Sequence, residues 1–90
     1  MSDAFASLTL SGAVTLATHT AERQRASDAL TAGNVVVDWS AVDEVDSSAL
    51  SLIFHMRRVA AASHHQVRHE RLPRALDALA DLYGVADLIA

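Results

Sequence analysis

Asp46-Ser47-Ser48-Ala49-Leu50 sets a carboxylate and two adjacent hydroxyls at the point where an apolar helical pattern begins. A helix start exposes unpaired N–H groups and the positive end of the helix dipole, which suit a capping carboxylate and a hydroxyl or its phosphate ester. Asp46 is expected to cap this helix by accepting from the N–H of Ser48 or Ala49. A catalytic serine would need a base and an oxyanion hole. The flanks of Ser47 and Ser48 are not the glycine-bounded elbow of the hydrolases, and nothing in the sequence positions a histidine beside them. The chain therefore reads as non-enzymatic.

The stretch before the serines is acidic, with Asp38, Asp43, Glu44 and Asp46. It lacks the oxygen-ligand spacing and the glycine of a calcium loop, so it reads as solvated charge and helix capping. Among the five histidines, His64, His65 and His69 cluster in sequence, but no His-x3-His pair falls on a predicted helix. They read as exposed turn and edge-strand residues. No cysteine is present, which removes disulfides, thiolate metal sites and thiol nucleophiles. No metal or cofactor is expected.

The helix that follows the serines has two unlike sides. At about 100° per residue, Ala49, Leu52, Ile53, Met56, Val59 and Ala60 fall on one of them and form a core stripe. Ser47, Ser51, Phe54 and Arg58 fall opposite, flanked by Leu50 and Arg57. An aromatic on an outer stripe has two accounts: an isolated or tail-covered side chain, or part of a partner surface. Ser47, Leu50, Ser51, Phe54 and Arg58 together have the aromatic, arginine and small-residue make-up of an interface centre.

Other elements must position this helix. Residues 7–10 and 13–18 alternate around Ser11-Gly12, with Leu8, Leu10, Val14 and Leu16 on one face, and predict a hairpin. Thr20 to Ala32 reads as a shallow, alanine-rich helix stopped by Gly33 in the left-handed conformation. Asn34 to Asp38 is an uninterrupted β-branched run, suited to a strand covered on both faces and followed by the acidic loop. The serine helix runs to about Ser63, and Gln66 to Glu70 forms a weaker strand. Leu72-Pro73 opens a third helix with proline at its first position; Leu72, Leu76, Leu79 and Tyr83 face inward and Gly84 stops it. Val85, Leu88 and Ile89 make an apolar tail. The order β-β-α-β-α-β-α predicts an α/β fold, a mixed sheet with packed helices.

The 90 residues suit one domain spanning 1–90, with 51% apolar residues and room for a modest core. A net charge of −4 argues against a nucleic-acid surface. All seven basic residues are arginines, and Arg57 and Arg58 gain interest from the rigidity of the guanidinium. No apolar run reaches the roughly 20 residues of a membrane span, and no signal peptide is visible. Any membrane role is expected to come through a partner.

The run Val35 to Leu52 resembles the signature of STAS domains, with an apolar strand, Asp38, Ser40, the spaced valines Val42 and Val45, and then Asp46-Ser47-Ser48-Ala49-Leu50. The similarity extends from the first strands to the third helix and implies the STAS fold. Resemblance to the anti-sigma-factor antagonists implies a phosphoacceptor at Ser48, modified by a partner kinase, although Ala49 stands where those proteins have glycine. Resemblance to the STAS subunit of the Mla phospholipid ABC transporter implies a functional hydroxyl at Ser47 and binding to a cytoplasmic ATPase subunit, supporting its assembly and activity. The Leu79-Ala80-Asp81-Leu82-Tyr83-Gly84 run is similar to the end of those subunits. The transporter branch is the leading expectation and places the chain in the cytoplasm, peripheral to the inner membrane. Two departures stand out: Ser63-His64-His65 replaces the glycine that usually precedes the last strand, and Val67-Arg68-His69-Glu70 is more polar than usual, as at a sheet edge.

Overall fold

Strand β1 (Phe5–Val14) leads through a 3-10 turn (Leu16–Thr18) to helix α1 (His19–Ala32), and strand β2 (Asn34–Val45) to helix α2 (Ser47–Ala62). Strand β3 (Val67–Glu70), helix α3 (Arg74–Leu82) and the short helix α4 (Ala86–Ile89) complete the computed structural model, which describes residues 4–89. The strands pair in parallel, in the order β1-β2-β3. Parallel neighbours need a crossover, and α1 and α2 supply the two. The α/β architecture expected from the sequence is the one observed.

The predicted hairpin does not form. Residues 7–10 and 13–14 belong to one strand that stays on β2, with shifts in register between Thr9 and Ser11 and between Gly12 and Ala13. Gly12 takes a left-handed φ of 68° inside this irregular stretch, so its freedom serves a bulge rather than a chain reversal. Leu16 lies beyond the strand in the 3-10 turn and is 76% exposed. Without the hairpin the sheet is wholly parallel, not mixed.

β2 is longer than its valine run. It continues through the acidic stretch to Val45, pairing with β1 as far as Val14↔Val45. Nor is it covered on both faces. Val35, Val37 and Trp39 are buried, while the alternate Asn34, Val36 and Asp38 are half-buried. The helices therefore cover one face. Leu10, Leu30, Trp39, Leu52, Met56 and Leu76 are the largest side chains of that core, with at most 1% exposure. β3 is a sheet edge, as its polarity suggests.

The helix ends are specific. Gly33 follows α1 with φ 173°, which is extended backbone rather than the expected left-handed stop, and its N–H still reaches the Ala29 carbonyl at 3.2 Å. Pro73 sits one position before α3, its carbonyl accepting from Leu76 and Asp77. Gly84 does stop α3 in the left-handed region (φ 72°), with Val85 N–H on Ala80 O at 2.8 Å and Gly84 N–H on Asp81 O at 3.1 Å. The same closure ends α2 with His64 at φ 58°, His65 N–H meeting Ala60 O at 2.9 Å. The residue that replaces the usual glycine thus keeps the glycine's conformation. Tyr83, assigned to the inward face of α3 by spacing, is 57% exposed, and Ala80 is buried instead.

Candidate protein-interaction site

Asp46 holds the site together. Its Oδ1 accepts from the Ser48 N–H at 2.9 Å and from the Ser48 hydroxyl at 2.5 Å, and its Oδ2 accepts from the Leu16 N–H at 3.0 Å. The first bond is the expected cap. The Leu16 bond joins the turn after β1 to the start of α2. The Ser48 hydroxyl and the Leu16 N–H hold the Asp46 carboxyl below the usual carboxylate range.

The two serines are not equivalent. Ser48 is half-buried, its hydroxyl committed to Asp46. Ser47, one residue earlier, is exposed and its hydroxyl has no protein partner among the described residues. From Ser47 a groove follows the outer side of α2. Ser47, Ser48, Leu50, Ser51 and Phe54 line it from α2, Asp46 and Leu16 close its upper end, and Tyr83 and Val85 border it from the end of α3.

The wheel assignment is largely reproduced. Ala49, Leu52, Ile53, Met56 and Ala60 are buried and Val59 half-buried; Ser47, Ser51, Arg57 and Arg58 are exposed. Leu50 departs from its place on the flank of the outer face: it is 5% exposed and belongs to the core, contributing only the groove floor. Phe54 is half-buried, packed on the core with an edge on the groove. Arg58 lies one turn beyond Phe54 and does not line the groove. Leu16, Tyr83 and Val85 are the lining residues that sequence reasoning missed, because alternation and helical spacing assigned the first two to the interior. Only the closures at Asp46 and Gly84 bring them to one place.

Of the histidines expected at an exposed turn and edge strand, His64 is exposed, whereas His65 and His69 are half-buried and hydrogen-bonded, and His55 is bonded too. Arg23 Nη2 lies 3.2 Å from His55 Nδ1, and Ser27 Oγ lies 2.7 Å from His55 Nε2. A guanidinium only donates, so Nδ1 is the acceptor and the ring proton sits on Nε2, donating to Ser27. In that tautomer His55 cannot draw a proton from Ser27, so this pair is a link between α1 and α2, not an activated nucleophile. His65 Nδ1 meets the Leu30 carbonyl at 2.5 Å. Trp39 donates its indole N–H to His69 Nδ1 at 3.0 Å, and burial pushes His69 down to about 4. The signal for His69 was in the sequence: it shares phase with Val67 on β3. Among the described residues, no three histidine or acidic side chains converge as a metal site would require.

A parallel sheet with helices on one face, and a serine-bearing helix start beside an apolar groove, define a small α/β binding domain. Over residues 1–90 the sequence matches the family model described as Mlab, STAS domain. The chain belongs to the STAS-domain family. Its structure is similar to that of the anti-sigma factor antagonist SpoIIAA in its unphosphorylated form, with a TM-score of 0.72 and 13% identity over 97% of this chain and 80% of that one. At that identity the likeness is one of fold. No curated protein sequence matches the chain.

Proposed function

We propose that this chain is a non-enzymatic STAS subunit of a bacterial phospholipid ABC transport system, docking on the cytoplasmic ATPase subunit through the outer side of α2 and supporting its assembly and activity. The observation that carries the reading is the groove between Leu16 and Tyr83, which leaves apolar side chains in water around two free serines, Ser47 and Ser51. A partner side chain seated there would release water from Leu16, Phe54 and Tyr83, while the small serines permit close backbone approach. The MlaB-type family match supports the transporter branch. No helix among the described residues is long and apolar enough to cross a membrane, which agrees with a subunit brought to the membrane by its partner.

Co-purification of the tagged protein from its native host tests this reading. Recovery of an ABC ATPase, lost on changing Ser47 to a bulky charged residue, is the expected result; recovery of a kinase and a sigma-regulatory protein instead overturns it.

A second reading keeps the same face. In an anti-sigma-factor antagonist the helix start would accept phosphate from a kinase, and the likeness of fold to SpoIIAA favours keeping it. Phosphate on Ser48 would break the hydroxyl's bond to Asp46 and set a dianion against that carboxylate. Ser47 offers the free hydroxyl. Intact-mass spectra of Ser47→Ala and Ser48→Ala proteins from the native host separate the two acceptors, and absence of phosphate in every growth condition removes this branch.

A further inference from the structure

Five of the seven arginines, Arg23, Arg57, Arg58, Arg68 and Arg74, have no carboxylate within ion-pair distance among the described residues; the ion pairs formed there are Arg25–Glu22 and Arg71–Asp38. Two of the five, Arg23 and Arg58, converge on one neighbour, His55. Arg23 donates to its ring, and Arg58 lies three residues along α2 from it, on the same ridge as Ser51. His19 faces this cluster from the start of α1. Beside it Thr20, Gln24 and Ser27 line a polar hollow between α1 and α2. In a chain of net charge −4, this face gathers cations and leaves them uncompensated.

The cluster is also held in place. His55 takes a hydrogen bond from Arg23 and gives one to Ser27, so the guanidinium of an exposed arginine is fixed against α2 instead of sampling its rotamers in water. Burial first, and then the charges of Arg23, Arg58 and His19, hold His55 below its ordinary value. From Ser47 to Arg58 the outer face of α2 runs about 16 Å, apolar at one end and cationic at the other.

We propose that the partner docked on α2 carries, beside its apolar anchor in the groove, an acidic side chain that seats between Arg23 and Arg58. This rests on the reading of α2 as the docking face and adds the chemistry of the occupant. A carboxylate can take paired N–H donors from either guanidinium, and charge complementarity of this kind sets orientation and the rate of encounter. A neutral or basic partner surface would bury two arginines without compensation.

The experiment uses the full chain and the ABC ATPase recovered with it from the native host. Arg23→Glu and Arg58→Glu should each weaken binding by about tenfold or more, with the milder Arg58→Gln between them and the unaltered protein. Arg74→Glu makes the same change in net charge at the far end of α3 and should alter affinity less than about twofold. Raising salt should weaken the unaltered complex and flatten the difference between Arg58→Glu and wild type. Unchanged thermal melts establish that each variant is folded. Binding that is equal in Arg23→Glu, Arg58→Glu and Arg74→Glu overturns the inference and leaves the docking reading in place. No binding by the unaltered protein sinks both. Self-association abolished by Arg23→Glu assigns the face to a second copy of this chain and overturns the acidic-partner assignment.

Discussion

The Asp46 carboxylate accepts the Leu16 N–H at 3.0 Å across 30 residues of sequence, while its other oxygen caps α2 through Ser48. One side chain thus fixes both the start of α2 and the exposed leucine that borders its groove. Removing it should loosen the two together.

Asp46→Ala is therefore expected to lower the thermal midpoint by a few degrees and to speed amide exchange at Leu16, with Asp46→Asn less severe because an amide oxygen can still cap. The acid limb should change too. A carboxyl whose folded pKa is depressed contributes stability above its unfolded value near about 3.9 and loses it as pH falls through the folded one. Denaturation of the Asp46→Ala protein should consequently depend less on pH below about 4.

His69 produces a pH dependence in a different window. Its folded value of about 4 lies below the roughly 6.5 of the unfolded chain, so the unfolded state binds the extra proton between them. The contribution is fully present above about 6.5 and is lost as pH falls toward about 4, where Nδ1 can no longer accept from Trp39. The loss is on the order of 3 kcal/mol. Urea unfolding at a series of pH values should show this slope, and His69→Gln should flatten it.

Helix closure separates conformation from contact. His64→Gly should stabilise the protein by roughly 0.5–1 kcal/mol, because φ 58° is strained for a side chain and free for glycine. Gly84→Ala should destabilise it by about 1 kcal/mol, since no atom lies within 4 Å of the added carbon and only the backbone at φ 72° objects. Equal and opposite shifts in denaturant midpoint are the expected readout; a loss in His64→Gly would show that the imidazole does more than occupy the turn.

Ile53 and Phe54 are neighbours in sequence with opposite expected effects. Ile53→Ala empties a core position that is 2% exposed and should cost about 2–5 kcal/mol of folding stability. Phe54→Ala should retain the fold and weaken ATPase binding by roughly thirtyfold, as loss of an interface aromatic of about 2 kcal/mol implies. Affinity per folded molecule, measured beside thermal stability, distinguishes them. If Phe54→Ala unfolds the protein as severely as Ile53→Ala, the outer-face assignment fails.

Local chemistry was legible in the residues themselves. The Asp46 cap, the α2 core stripe, the Gly84 stop and the β3 edge follow from side-chain type and spacing, because each depends on atoms within a turn or two of its own position. The same local logic erred at Ser11-Gly12, Leu16 and Tyr83. There a long parallel pairing with β2 replaced a hairpin, and two apolar residues in the phase of a core face ended at the surface. Alternation and helical period report which side chains share a face; they do not report whether another element covers it. That is decided by strand order and crossover packing. The groove beside Ser47 and the Arg23–His55–Ser27 link across α1 and α2 exist only because residues about 30 apart are brought together by parallel β-α-β connections, whose long crossovers leave no signal in local spacing.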